Sequence, residues 1–150
     1  MSLSEATKVS TRKEWRNLGF FYDYDEKRGE WHFIGSRSGL EKFRDILSQY
    51  ASNPKNDQKS EHDHYGPYMY LEIMTWDSPN ISDHCIQGTL SDLKKLSDLV
   101  GQKLKNALPN DSFIIQQEYA KDAQSSLVFE IKEDNFDPAS ADPMLQESIQ

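Results

Sequence analysis

Two stretches of this sequence repeat each other, and the repetition limits the available folds more than any other feature. When Phe33–Gln49 is set against Ile86–Gln102, Gly35 meets Gly88, Ser38 meets Ser91 and Leu40 meets Leu93. Lys42, Asp45 and Gln49 meet Lys95, Asp98 and Gln102, and Ser36/Thr89, Phe43/Leu96, Ile46/Leu99 and Leu47/Val100 are chemically alike. Each copy passes from a strand-like end through a glycine and a hydroxyl residue into apolar positions at helical spacing. Downstream, Leu71-Glu72-Ile73 resembles Phe129-Glu130-Ile131. The implied unit is strand–helix–strand, used twice. Two such units in one sheet predict an α+β fold of ferredoxin-like βαββαβ type, with extra edge strands. Both helices would pack on one face of a mainly antiparallel sheet.

The remaining elements follow from local signals. Phe20–Asp25 and Glu30–Ile34 alternate like strands around the turn chemistry of Glu26-Lys27-Arg28-Gly29, which predicts a hairpin. Ser38 with Glu41 forms a capping-box pattern ahead of Leu40, Phe43, Ile46, Leu47 and Tyr50. That helix should fail by Asn53-Pro54, because a residue before proline is pushed out of the α region. Residues 52–64 read as a polar loop, and Pro67–Trp76 as the strongest strand. Thr89 or Ser91 would cap a second helix striped by Leu93, Leu96, Leu99, Val100 and Leu104. Ser112–Ala120 and Ser126–Glu133 predict two closing strands. The expected organisation is one domain over residues 15–133, a loose polar leader over 1–14 and an acidic, disordered tail over 134–150.

Strand alternation assigns faces. Met69, Leu71 and Ile73 are expected to meet the helices, as are Leu127, Phe129 and Ile131. The opposite set, Tyr68, Tyr70, Glu72, Met74 and Trp76, is aromatic and acidic, and suits recognition of a basic protein surface or self-association as a homodimer.

Charge points the same way. The chain holds 25 Asp+Glu against 17 Lys+Arg, a net −8. Nucleic-acid binding needs cationic side chains to replace condensed counterions, so no nucleic-acid partner is expected, and a cationic partner is. Glu133, Asp134, Asp137, Asp142 and Glu147 place much of the acidity at the end of the chain. No long apolar run predicts a membrane span, and the first residues lack a basic-then-apolar signal. A single cysteine, Cys85, fits a reducing compartment, so a cytoplasmic protein is expected.

Catalytic signals are sparse. No phosphate-binding glycine motif occurs, and His84 and Cys85, being adjacent on extended backbone, face opposite ways. A non-enzymatic protein without a cofactor is therefore expected. The segment Ser60-Glu61-His62-Asp63-His64-Tyr65-Gly66-Pro67 stands apart. On extended backbone His62 and His64 point the same way, so they could bite one metal ion, fix the loop or touch a partner. A small metal-binding protein or metal-dependent enzyme centred on the two is the alternative to a binding module.

The order Ile34-Gly35-Ser36-Arg37-Ser38-Gly39-Leu40, amphipathic helix, polar loop, Ser60–Pro67 segment and strand resembles small bacterial α+β immunity proteins of polymorphic toxin systems. In these a glycine-leucine helix start is followed by a Ser/Gly-x-His-x-His segment. The matching positions are Ser60, His62, His64, Tyr65 and Pro67. This chain is longer than compact members and adds a second helix unit and an acidic tail. The resemblance implies a non-enzymatic protein that occludes a cognate toxin, often a nuclease. The partner-binding residues expected are His62, His64, Tyr65, Tyr68, Tyr70, Glu72 and Trp76.

Overall fold

The computed structural model describes residues 3–146. The elements run α1 (Glu5–Leu18), β1 (Phe21–Asp25), β2 (Glu30–Ser36), α2 (Arg37–Ser52), β3 (His62–Tyr65), β4 (Leu71–Thr75), β5 (Asn80–Ile81), β6 (Cys85–Gly88), α3 (Leu90–Leu104), β7 (Ser112–Ile115) and β8 (Ser126–Lys132). Short 3₁₀ turns occupy Pro54–Asp57, Pro138–Ala141 and Pro143–Leu145. The class is α+β, as the sequence predicts. No described helix is long and apolar enough to cross a membrane.

The sheet topology differs from the expected single ferredoxin-like sheet. The strands divide into two four-stranded sheets, ordered β1-β2-β8-β7 and β3-β4-β6-β5. In each, the two central strands run parallel and the outer pairs antiparallel. The repeat is real, but its unit is hairpin–helix–hairpin, and each unit gives one hairpin to each sheet. Exchanging the units maps β1, β2, α2, β3 and β4 onto β5, β6, α3, β7 and β8, which turns one sheet into the other. Pairing register fixes the equivalence. Phe33 pairs with Phe129 as Ile86 pairs with Ile73, so Ile73 corresponds to Phe129. The Leu71-Glu72-Ile73 run therefore matches Leu127-Val128-Phe129, two residues earlier than the likeness of the letters suggests.

The helices enter directly from strands. Ser36 closes β2 and caps α2, accepting from the Gly39 amide at 3.0 Å, so Ser36 takes the role the Ser38–Glu41 pattern predicts for Ser38. Thr89 caps α3, with Asp92 completing a capping box. The helices pack on each other, and Ser97 donates to the Arg44 carbonyl at 2.9 Å across their contact. Phe33, Phe43, Leu47, Leu71, Ile73, Ile86, Leu96 and Phe129 belong to one fully buried cluster between helices and sheets. Met69, expected inside, is 55% exposed, because its backbone turns left-handed (φ 62°) just before β4.

The ends are structured where a loose leader and tail were expected. α1 buries Thr11 and Trp15, with Ser4 as its cap and a left-handed Gly19 at its end. Beyond β8 the chain folds back over α1. Asp137 and Asp142 each precede a proline and cap a 3₁₀ turn, and Asp137 also forks onto Arg16 at 2.8 Å. Asp142 is 1% exposed, and one of its oxygens accepts from Trp15 Nε1 at 2.8 Å and from the Tyr68 hydroxyl at 2.6 Å. Both carboxylates are structural acceptors, Asp142 buried and Asp137 partly open to solvent. The parts of the expected leader and tail at residues 1–2 and 147–150, Glu147 included, lie outside the described residues.

Candidate functional site

The expected partner-binding residues do not share one face. They divide between the outer surface of the second sheet and a cleft beside it.

The β3–β4 hairpin forms the first group, and buried residues pin both its ends. At its start, Tyr50 donates to the Glu61 carbonyl at 2.7 Å and meets Thr75 Oγ1 at 2.8 Å, while the Ser60 amide donates to the Thr75 carbonyl. At its corner, the Tyr22 hydroxyl donates to the Tyr65 carbonyl and accepts from the Leu71 amide at 3.2 Å. Gly66 is required there: it is left-handed, and a Cβ would run into the Tyr22 ring. Residues 62–65, of which 62–64 were expected in a loop, thus form an edge strand on which His62 and His64 point the same way.

Register sets His64 directly across from Glu72 and His62 across from Met74. His62 Nε2 lies 3.8 Å and His64 Nε2 3.9 Å from the same Glu72 oxygen, Oε1. The other ring nitrogens are held by backbone: His62 Nδ1 stands 2.9 Å from the Ser60 carbonyl and His64 Nδ1 3.2 Å from the Met69 carbonyl. A carbonyl only accepts, so both Nδ1 atoms carry the proton and both Nε2 lone pairs are free in the neutral rings. The Ser60 carbonyl raises the His62 pKa most, burial opposes it, and Glu72, Glu61 and Asp63 add lesser upward effects.

The second group lines a cleft of about 410 Å³. Tyr24, Trp31, Tyr68 and Tyr70 supply aromatic walls, and Asp23, Glu26 and Asp83 supply carboxylates. Neither lysine nor arginine lines it. Tyr70 is 68% exposed with its ring 5.7 Å from that of Tyr68, and Tyr24 lies 5.1 Å from Trp31. Burial raises the Asp23 carboxyl pKa, His32 opposes this, and Asp25 and Glu130 add to the rise.

The remaining residues stand elsewhere. Tyr65 packs at the hairpin corner against the core. Trp76 lies beyond the end of β4, with Lys59 Nζ 4.2 Å from its ring centroid. The Cys85 thiol is buried, and burial followed by the nearby Glu72 charge pushes its pKa up to about 12, so it is not a ready nucleophile. Sequence reasoning missed Asp23, Tyr24, Glu26, Trp31 and Asp83. They come from separate turns and strands that only the two-sheet arrangement brings together. The turn-rich Glu26–Gly29 segment was legible as a hairpin, but not as the rim of a cleft. Searches against protein-family models, characterised proteins and solved structures find no match to this chain.

Proposed function

We propose that this chain is an acidic protein-binding module that docks a basic partner through the aromatic cleft and works by occlusion. The observation that carries the reading is the cleft's composition: aromatic faces and four carboxylates, Asp23, Glu26, Asp83 and the buried Asp142, with no lysine or arginine among its lining residues. A lysine or arginine side chain entering it would stack on Tyr70 or Tyr24, an interaction of about 0.5–2 kcal/mol, and meet carboxylates at the rim. Asp23, whose carboxyl is held above its ordinary pKa by burial, gains a counter-charge when a cation arrives. The net −8 steers such a partner over longer distances. The concrete form of the proposal is an immunity protein that neutralises a basic toxin such as a nuclease, which the Ser60–Pro67 resemblance supports.

The test compares wild-type protein with Tyr70→Ala and Glu26→Lys as baits in lysate of the source organism, at low and moderate salt. Capture by wild type of one basic protein that elutes with salt and is lost with both variants is the expected result. A partner held equally by all three baits refutes the cleft.

A further inference from the structure

We propose that His62, His64 and Glu72 form a binding site for a Zn²⁺-class divalent ion on the outer face of the second sheet. The site goes beyond the docking reading and stands without it.

The ligand set is converged. One ring nitrogen from each histidine and one Glu72 oxygen lie within 4.8 Å of one another, and both Nε2 atoms approach the same oxygen. Bonds of about 2.0–2.2 Å in a tetrahedral ion would put ligand atoms about 3.4 Å apart. The observed 3.8 and 3.9 Å exceed this by about 0.5 Å, and the two imidazoles that must close on the carboxylate stand at the surface. Two neutral imidazoles and one carboxylate leave a single negative charge for a dication. Among the described residues no lysine or arginine pairs with Glu72.

The second layer is already in place. Histidine ligands ordinarily donate their other ring N–H to a backbone carbonyl or carboxylate, which fixes the tautomer and turns the free nitrogen toward the metal. Both rings do so here, to Ser60 and to Met69. Those two carbonyls belong to two of the three non-glycine residues with positive φ among the described residues, at 80° and 62°. Backbone in that region is unfavourable for such residues and is seen where surrounding structure imposes it. In this hairpin it sits at the two carbonyls that aim the imidazoles.

The internal symmetry provides a control. In the first sheet the positions equivalent to His62, His64 and Glu72 are Ser112, Ile114 and Val128, by the register of β7 and β8. Those residues make the same strand pairings without a histidine or a carboxylate. The fold therefore does not demand His, His and Glu at these positions. Three ligands leave a fourth position open to water or to a group from a partner.

The experiment is titration of the metal-free full chain with Zn²⁺ by isothermal calorimetry at about pH 7.5, where an unperturbed imidazole is mostly neutral. One ion per chain is expected, with affinity at least about tenfold weaker in His62→Ala and in Glu72→Gln. A triple variant, His62→Ser with His64→Ile and Glu72→Val, copies the first sheet, should keep the wild-type circular dichroism and should lose binding. Imidazole ¹⁵N spectra should show ligation at Nε2 of both rings with Nδ1 still protonated. His32→Gln tests the other cluster, Asp25, Glu30 and His32, and should leave the affinity unchanged. No saturable binding, binding kept by the folded triple variant or ligation through Nδ1 overturns the proposal. So does binding that is lost with His32→Gln and retained with His62→Ala.

Discussion

Replacing Asp142 with alanine strands two donors at once. Trp15 Nε1 and the Tyr68 hydroxyl both point at the carboxylate oxygen that is lost, and the second oxygen, which caps the Met144 amide, goes with it. Asp142 and Trp15 are each 1% exposed at the floor of the aromatic cleft, so a water that replaces the acceptor must enter from there. A hydrogen bond to a charged acceptor contributes about 1.5–3 kcal/mol, so loss of the Trp15 and Tyr68 bonds alone predicts a destabilisation of about 3–6 kcal/mol. That is a large share of the stability of an ordinary domain, about 5–15 kcal/mol. Asp142→Asn keeps one neutral oxygen, which can serve the two donors only by turning its NH2 toward the Met144 amide, and should cost about half as much. The exposed Asp134→Ala in the same acidic stretch is the control and should stay within about 0.5 kcal/mol of wild type. Urea unfolding followed in parallel by tryptophan fluorescence and circular dichroism reads all three. If Asp142→Ala unfolds at the same urea concentration as Asp134→Ala, residues 134–146 are not packed on α1 and the reasoning fails.

Two further outcomes follow from close contacts and burial. Gly39 lies against the Gly19 carbonyl, where a Cβ would overlap it, so Gly39→Ala should destabilise despite its better helix propensity. Gly39→Asp should destabilise more in urea unfolding, although it writes into α2 the capping box that Asp92 gives α3; a gain in stability with either would refute the close approach. Cys85, buried and with its thiol pKa pushed up to about 12, should resist iodoacetamide at mildly alkaline pH in native protein and react readily in urea. Mass spectrometry distinguishes the two, and equal labelling rates would contradict the burial.

Local signals made most of the elements legible, though not α1 or β3. The apolar stripes of both helices, the β1–β2 hairpin and the inward faces of β4 and β8 follow from periodicity alone. The Ser36/Thr89 match in the repeat falls on both helix caps, whereas the Ser38–Glu41 pattern points two residues too late. Topology was less accessible, because a repeated strand–helix–strand pattern fits one sheet or two equally well. What decides between them is the long-range pairing of β2 with β8 and of β4 with β6, which no local propensity encodes. The site was half legible. Alternation put His62 and His64 on one side, but Glu72 joined them only through the β3–β4 register. Tyr68 and Tyr70 share with Glu72 a parity they do not use, since the left-handed Met69 breaks the strand between them. The acidic end was misjudged as charge, although its two Asp-Pro steps carried the turn chemistry of caps.

The exchange of hairpins between the two halves also sets how the chain must fold. Neither half contains a complete sheet, so Trp31 cannot reach Leu127, nor Phe33 reach Phe129, until almost the whole chain has been made. The entropy of closing that loop is lost before its contacts form, which makes for slow folding and a high proportion of contacts distant in sequence. A break between β4 and β5 would leave two fragments, each with half of both sheets and an open apolar face. Such fragments are complements of each other, and through the internal repeat each is also an approximate complement of itself. The link between them keeps the correct partner always at hand.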